Sequence, residues 1–139
     1  MTKITQVEIH EFGFDVPNLG NLTGADSVGA IGYMKGAVSR IEKFALVIIT
    51  EDGCRGEYVT HWCSTPSTCA QTKTLAPKLI GRHAEEREGI YDDMKRELRQ
   101  FDHMGQGPID IALWDWAGKQ LDCSVSILLG GYRKKLPAY

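Results

Sequence analysis

Apolar residues recur at a helical period in the last third of the chain. Between residues 106 and 121 they stand three or four positions apart, as Ile109 and Leu113 do, and this spacing predicts a helix. Ile111 and Trp114 widen the apolar stripe until few polar positions remain. A helix of this kind is usually buried over most of its circumference, so we expect the rest of the chain to be organised around it.

The residues that flank this stretch mark where helices begin and end. Pro108 suits the first turn of the helix, because its ring fixes φ and an N–H there would have no helical partner. A second, shorter helix is predicted at residues 124–129. Gly130 is the glycine that commonly follows a helix C-terminus, so we expect it to cap this second helix.

The first part of the chain shows the alternation of apolar and polar residues that is typical of strands. Three strands are predicted, at residues 3–15, 38–50 and 55–61. The second is apolar on both faces, which predicts a central strand covered above and below. Asp52 and Gly53 predict a tight hairpin before the third strand. The apolar phase changes between Ile9 and Phe12, so we expect a bulge or a twist near His10 and Glu11.

Residues 16–36 have a different composition. They contain Pro17 and several glycines with little periodicity, which predicts a loop far longer than the usual connection. Gly29 and Gly32 do not have the spacing of a phosphate-binding loop. The sequence therefore predicts a long loop of unknown chemistry between the first two strands.

Helices follow the predicted sheet. One is predicted at residues 65–74, with Thr65 as its N-cap, and a turn around Pro77 ends at Gly81. Another is predicted at residues 85–100, where acidic residues come first and basic residues last, as the helix dipole favours. The predicted fold class is α+β: a three-stranded antiparallel β-meander followed by a helical bundle.

Bulk composition excludes several classes of function. A chain of 139 residues with a net charge of −2 has no basic surplus for binding nucleic acid or an anionic membrane. No apolar run approaches the roughly 20 residues that span a bilayer. The four cysteines form no C-x-x-C pair and are expected to be reduced thiols. We expect a cytoplasmic protein without a signal peptide.

The chain carries no complete catalytic or metal-binding motif of its own. H-E-x-x-H, G-x-S-x-G and zinc-like Cys/His spacings are all missing from the sequence. His61 and His103 stand in predicted loops and are expected to be structural or solvent-exposed. Asp92 and Asp93 are expected to lie on a solvated helix face. We therefore assign no catalytic residue and no metal ligand to this chain.

Three short stretches carry a resemblance to a known family. They read GPIDIALWDWAGKQL, then LLGG, then LPAY. These stretches resemble a junction in proteins of the enolase superfamily. In its mandelate racemase and muconate-lactonizing group, an N-terminal capping domain passes there into a (β/α)-barrel. The resemblance implies that residues 1–105 are a capping domain, with its sheet at 3–61 and its helices at 65–100. Residues 106–139 would be the junction helices and the start of the first barrel strand, and the barrel would continue the chain beyond Tyr139.

The resemblance also implies an activity for the full-length protein. Enzymes of this group abstract a proton α to a carboxylate as racemases, cycloisomerases or acid-sugar dehydratases, and so are isomerases or lyases. They use Mg²⁺ that the barrel binds, and the catalytic bases also come from the barrel. The implied partners are a small hydroxy-acid or acid-sugar substrate and the chain's own C-terminal barrel domain. A homo-oligomer that binds neither nucleic acid nor membrane is expected.

In this family two segments of the capping domain close the active site and shape substrate specificity. They correspond here to residues 16–32, as a lid, and to residues 56–62. The implied substrate-binding residues are Val16, Leu19, Leu22, Tyr58, His61 and Trp62. Tyr58, His61 and Trp62 each have a large apolar body and a polar tip, which suits a pocket wall. Packing in the core is an equally good interpretation, because a shift of one residue in strand register would turn each side chain to the opposite face of the sheet.

An alternative function is a stand-alone, non-catalytic α+β binding module whose tryptophan-rich end docks onto a partner protein. A gene that continues past Tyr139 with a K-x-K motif would favour the enzyme, and a stop codon there would favour the module.

Overall fold

Strands and then helices follow one another along the chain, as the apolar pattern predicts. The computed structural model describes residues 1–21, 31–61 and 65–138. The elements are β1 (Ile4–Asn21), β2 (Ile31–Thr50), β3 (Arg55–Val59), α1 (Thr65–Leu75), a 3₁₀ turn (Ala76–Leu79), α2 (Arg87–Glu97), α3 (Gln106–Gln120) and α4 (Val125–Leu128). The three strands form one antiparallel sheet in the order β1-β2-β3. The predicted α+β class and β-meander are confirmed.

The hairpin of β1 and β2 is much longer than predicted. Residues 16–21 and 31–36 were expected in a loop, but they continue the two strands, and pairing extends to Asn21 opposite Ile31. The register shifts between Pro17 and Leu19, beside Asn18, whose φ is +58°. A bulge of this kind breaks the alternation of side chains while the strands go on pairing, so the sequence looks like a loop. The remaining part of the predicted loop, 22–30, lies outside the described residues.

Of the bulge or twist predicted near His10 and Glu11, the bulge is wrong. Strand pairing is continuous from Gln6 to Pro17, past that position. Val7 and Ile9 pack against the core, whereas Phe12 and Phe14 lie on the opposite face of the same regular strand. The change of apolar phase therefore reflects two faces that are both partly apolar.

The core lies between one face of the sheet and the helices. Phe44, Leu46 and Ile48 of the central strand β2 are fully buried there, together with residues of all three longer helices. Val47 points to the other face and is not part of this cluster. The prediction that β2 is central is confirmed, and the described helices cover one of its two faces.

Charged side chains lie across the second face. Glu8 and Glu57 are the neighbours of Val47 on the two flanking strands, and Arg55 forms ion pairs with both, at 3.9 Å and 3.6 Å. These long side chains shield Val47, which is nearly buried although no helix packs over it in the part of the chain that the structure describes.

At Gly56 of β3, helix α3 packs so closely on the sheet that a Cβ atom would not fit between them. A Cβ on Gly56 would lie 2.1 Å from the carbonyl oxygen of Ala112. The ring of Trp116 is only 3% exposed, and its Nε1 donates a hydrogen bond of 2.9 Å to the hydroxyl of Thr50. Glycine in β3 therefore lets the helix backbone approach, and Trp116 fixes the helix against β2.

The outer edge of β3 is also occupied by α3. The backbone N–H of Glu57 donates to the carboxylate of Asp115 at 2.9 Å, and the ammonium of Lys119 donates to the carbonyl oxygen of Arg55 at 2.9 Å. Lys119 also binds Glu57 and Asp115; burial opposes its charge, but these hydrogen bonds raise the pKa of Lys119 overall.

The expectation that α3 is buried over most of its circumference is confirmed, with the exception of one side. Ile111 is 49% exposed and Trp114 is half-buried. Both lie on the side of the helix opposite Ile109 and Leu113, and the guanidinium of Arg87 stacks over the Trp114 ring at 4.2 Å. An apolar pattern reports which positions avoid water, but it does not say that a covering element is present.

Several helix and strand ends differ from the predicted ones by a few residues. β3 ends at Val59, and α2 begins and ends two or three residues inside its predicted range. Thr65 is already helical and its hydroxyl donates to the carbonyl of His61 at 3.1 Å, so it does not act as the predicted N-cap acceptor. Gly130 lies just after the end of α4 with φ of +98°, which confirms the predicted cap.

Candidate functional site

The two segments that the sequence singled out leave the sheet at the same end. β1 and β3 are both antiparallel to β2, so their C-terminal ends point the same way. β3 stops opposite Ala45, whereas the β1–β2 hairpin continues to Asn21. At about 3.3 Å per residue, the hairpin extends roughly 35 Å past the end of β3. We call this extension, residues 11–21 and 31–44, the ribbon.

A charged cleft of about 460 Å³ lies between the base of the ribbon and α1. Lys73 forms an ion pair with Glu11 across it; this contact lowers the pKa of Glu11 and raises that of Lys73. Cys69 lies in the cleft wall, and burial raises the pKa of its thiol, which disfavours a reactive thiolate. Arg40 and Lys43 complete the cationic side. The Glu11–Lys73 ion pair therefore joins the ribbon to α1. Because both pKa shifts favour the charged forms, the pair is poorly suited to proton transfer.

An apolar cleft of about 380 Å³ lies farther along the ribbon. Phe14, Leu19, Ile31 and Ile41 line it, with the stem of Lys43 at one side. The backbone here is fixed by a hydrogen bond of 2.8 Å from the hydroxyl of Ser39 to the carbonyl of Leu19. The arrangement offers an apolar wall on an element that projects beyond the body of the domain.

The structure separates the residues that the sequence proposed as one substrate-binding set. Leu19 lies in the apolar cleft, and Val16 is a half-buried ribbon residue opposite Ser39. Tyr58 packs on the core side of the sheet, with its ring 6.3 Å from that of Phe44 in an edge-to-face contact. His61 is exposed where β3 leaves the sheet. Leu22 and Trp62 lie outside the described residues.

Three lining residues of the apolar cleft were missed by sequence reasoning. Ile31 was assigned to a loop, and Phe14 and Ile41 were assigned to strands without a site. Continuing the strand alternation of Phe12 and Phe14 through Val16 would have placed these side chains on one face. The bulge at Asn18 hides that continuation in the sequence.

Magnesium does not fit the side chains seen here. Within residues 1–21, 31–61 and 65–138, no three His, Cys, Asp or Glu side chains converge on one point as metal ligands would. Asp93, part of the acidic pair noted in the sequence, instead pairs with Arg82 at 2.8 Å and Arg96 at 3.1 Å. Asp110 is half-buried on α3, and burial, with the nearby Glu88 adding to it, raises the pKa of Asp110 while Arg87 opposes the shift.

Two further observations bear on the kind of protein. Cys54, Cys69 and Cys123 are free thiols. Of the helices that the structure describes, none combines the length and the apolar character needed to cross a membrane.

Comparison with known proteins gives one family and a consistent set of relatives. Residues 33–130 match the family described as mandelate racemase / muconate lactonizing enzyme, N-terminal domain. Arabinonate dehydratase of Saccharolobus solfataricus is 32% identical over 106 residues, which are 71% of this chain and 28% of that protein.

Solved structures of the enolase superfamily have the same fold. D-Glucarate dehydratase of Agrobacterium tumefaciens, crystallised with magnesium, is 30% identical with a TM-score of 0.77, over 99% of this chain and 35% of its own. The 3,6-anhydro-D-galactonate cycloisomerase of Zobellia galactanivorans is 22% identical with a TM-score of 0.67, over 92% of this chain and 32% of its own. At 22% identity, this similarity supports a shared fold and nothing further. The chain thus spans about a third of the length of these relatives.

Proposed function

The chain belongs to the mandelate racemase / muconate lactonizing enzyme family as its N-terminal domain, and from this premise we propose that it closes the active site of an acid-sugar dehydratase. The enzyme would be a longer protein whose barrel, beyond residue 139, holds the reacting groups. The observation that carries the proposal is the common direction of the ribbon and of the end of β3, because two segments that close one site must reach the same space.

The shape of the ribbon supports a closing role. Its base is joined to α1 by the ion pair of Glu11 with Lys73, and strand pairing within it continues to Asn21, past the last residue that pairs with β3. An apolar wall formed by Phe14, Leu19 and Ile41 would exclude water from a substrate bound beneath it. Water exclusion strengthens the electrostatic contacts that stabilise a developing enediolate.

The relatives favour dehydration over the other reactions of the family. The two relatives described above at 30% identity or more are dehydratases of acid sugars, arabinonate and glucarate. In such a reaction the proton α to the carboxylate is removed, the neighbouring hydroxyl leaves as water, and a 2-keto-3-deoxy acid results. Racemisation and cycloisomerisation begin with the same proton abstraction and differ in the fate of the enediolate.

We place Mg²⁺ and the catalytic bases in the barrel and assign no step of the reaction to the described residues. The described residues contain no converging set of metal ligands, and several of their acidic groups are engaged in ion pairs, such as Asp93 with Arg82. This chain would contribute binding, closure and substrate selection. Val16, Leu19, Leu22, His61 and Trp62 remain proposed substrate-side residues, and Tyr58 is proposed to support them from the core side.

The test uses the longer protein and a panel of five- and six-carbon aldonates and aldarates in D₂O. We expect a 2-keto-3-deoxy acid to form from at least one of them with Mg²⁺ and not with excess chelator. A folded, Mg²⁺-loaded protein that neither forms such a product nor exchanges the α-proton of any acid sugar would overturn the proposal. Exchange without dehydration would instead identify a racemase or cycloisomerase.

Closure is tested by a pair of ribbon variants. Leu19→Ser places a polar group in the apolar cleft and should lower kcat/KM by about tenfold or more, since apolar and water-excluding contacts are worth about 1–3 kcal/mol. Val38→Ser is the matched control, because Val38 lies exposed on the same ribbon and does not line that cleft. Equal kinetic effects of the two substitutions would contradict a closing role for the cleft.

The stand-alone binding module remains the second candidate, and the exposed apolar side chains of α3 and α4 favour it. The coding sequence beyond residue 139 distinguishes the two functions before any assay.

A further inference from the structure

The second face of the sheet, opposite the core, carries apolar side chains that the described helices leave uncovered. All four helices contribute residues to the core on the other face, from Cys69 of α1 to Leu128 of α4. On the second face, Phe12 is 44%, Phe14 is 45% and Val59 is 52% exposed. Contiguous apolar side chains of this size on a surface usually mark a place where another molecule binds.

Strand pairing brings these side chains together. Val59 pairs with Ala45, and Ala45 pairs on its other side with His10. Phe12 and Phe14 follow His10 on the same face of β1, because side chains alternate along a strand. We call Phe12, Phe14, Ala45 and Val59 the open patch. Phe14 lies at its border, where the apolar cleft of the ribbon begins.

The side of the ribbon that faces α1 has the opposite character. Glu11 forms an ion pair with Lys73, and Asp15 forms one with Arg40 at 3.3 Å. Between residues 11 and 15, β1 thus turns charged side chains toward the helices and apolar side chains toward the second face. A two-stranded ribbon is only marginally stable by itself, so an apolar face along it is expected to pack against another surface.

The path of the chain indicates which kind of molecule can reach the open patch. Leu128 of α4 packs against the core, so α4 lies on the helix side of the sheet. Residues 131–138 continue from there without helix or strand. Anything attached to this segment begins on the helix side, and the sheet stands between it and the open patch. The path therefore favours an occupant that is not attached to this segment.

The charges around the open patch nearly cancel. Glu8 and Glu57 lie at one end of the face, and Arg55 forms ion pairs with both. Lys43 pairs with Phe12 in the strand register and so lies on the same face. Two carboxylates and two cations leave no net charge, so two copies of this face can approach each other without repulsion.

The size of the face suits a symmetric contact. From Gln6 to Phe14, and across three strands, it measures roughly 30 by 15 Å at about 3.3 Å per residue and 4.8 Å per strand. Its accessible surface is larger than the projected area of about 450 Å², because side chains stand out from the pleated strands. It therefore approaches the roughly 600 Å² on each partner at which stable interfaces begin.

We propose that the open patch is the contact between two copies of this chain, which pack their second faces together about a two-fold axis. The inference does not depend on the proposed function, because it uses only this surface. In a two-fold contact each copy presents the same residues, so Phe12 and Val59 are buried on both copies. The two sheets form the inner layers of the dimer, and the helices form its outer layers.

The mass of the 139-residue chain in solution tests the contact. Phe12→Asp places a charge in the open patch, and Phe101→Asp is the matched control, because Phe101 is 65% exposed in the segment between α2 and α3. Light scattering and sedimentation equilibrium at increasing concentrations give the dissociation constant of the dimer. We expect the unchanged chain to dimerise, Phe12→Asp to raise the dissociation constant at least about tenfold because it buries an unpaired carboxylate, and Phe101→Asp to leave it unchanged.

Thiol labelling is a second measurement that does not depend on a charged variant. Phe12→Cys and Phe101→Cys are treated with N-ethylmaleimide at protein concentrations below and above the dissociation constant, and peptide mass spectrometry follows labelling at each position. The thiol at position 12 should react at least about tenfold more slowly at the higher concentration, because the centre of an interface excludes water. The thiol at position 101 should react equally at both.

The outcomes separate the contact from its alternatives. A chain that stays monomeric at its highest soluble concentration overturns the proposal, and so does a dimer that Phe12→Asp and Phe101→Asp weaken equally. A thiol at position 12 that is protected in the monomer shows that another part of the same chain covers the patch, and the assignment is then wrong. If Phe12→Asp loses the circular dichroism spectrum of the unchanged chain, the labelling of Phe12→Cys decides. Each of these results leaves the proposed dehydration of acid sugars untouched, because no assay here measures it.

Discussion

Replacing Gly56 by alanine should separate α3 from the sheet. The added Cβ would lie 2.1 Å from the carbonyl oxygen of Ala112 and 2.7 Å from the Cβ of Trp116. An ordinary carbon–oxygen contact is at least about 3.3 Å, so the helix must retreat by roughly 1 Å. Neither obstacle is the far end of a flexible side chain, and a rotamer change therefore cannot relieve the clash.

The expected cost depends on the contacts that the retreat breaks. Overpacking of this kind typically costs about 1–3 kcal/mol. The hydrogen bond of 2.9 Å from Trp116 to the hydroxyl of Thr50 would lengthen beyond a useful distance, which adds about 1 kcal/mol. We expect Gly56→Ala to lower the free energy of unfolding by roughly 3 kcal/mol, a large share of the stability of a small domain.

Urea unfolding followed by tryptophan fluorescence and circular dichroism measures this change. Gly107→Ala is the matched control, because Gly107 lies in the first turn of the same helix and an added Cβ meets nothing within 4 Å. That control should be neutral or slightly stabilising, since alanine is the better helix former. If Gly56→Ala leaves the unfolding midpoint unchanged, the close packing of α3 on β3 is not what holds the two together.

Two further predictions concern tryptophan burial and acid stability. Trp116→Ala should lower the free energy of unfolding by roughly 3–5 kcal/mol, whereas Trp114→Ala, which removes a half-buried ring, should lower it clearly less. Equal urea midpoints for the two variants would contradict the different burial of the two rings. Asp52→Asn should reduce the acid dependence of stability, because hydrogen bonds from Thr50, then Gln120, lower the pKa of Asp52 and its carboxylate stabilises the fold above the ordinary Asp value of about 3.9. That stabilisation is lost as the pH falls through the lowered pKa, so the urea midpoints of the wild type and the variant should converge as the pH falls below the ordinary Asp value. Parallel curves would contradict the linkage.

Local chemistry made much of the fold predictable. Asp52 and Gly53 favour a tight turn, and Gly130 readily adopts the left-handed conformation that ends a helix. The apolar residues of α3 recur at a helical period, which predicts a helix and not a strand. The ribbon was missed because Asn18 and Gly36 form an irregular pair, with the Asn18 side chain accepting from the Gly36 N–H at 2.9 Å. Such a contact joins residues 18 positions apart, and no local pattern reports it.

The candidate site was less predictable than the fold. The face on which Tyr58 lies depends on the register of β3, which the alternation of five residues specifies weakly. The exposure of Ile111 depends on which other elements are present, because its own chemistry would suit a buried position equally well. The two segments that reach one end of the sheet could be inferred, since an antiparallel meander fixes the direction of every strand.

The contacts of Asp115 and Lys119 with the edge of β3 determine which surfaces become exposed when the protein unfolds. A strand edge with free N–H and C=O groups is a template on which other chains can add strands. Here the groups of Arg55 and Glu57 are occupied by α3, the same helix whose other side covers the apolar face of the sheet. When α3 detaches, the edge and the apolar face are uncovered together. A chain that loses this helix should therefore aggregate at once, without a soluble, partly folded form, and variants such as Gly56→Ala should be recovered in smaller amounts than their equilibrium stability alone would suggest.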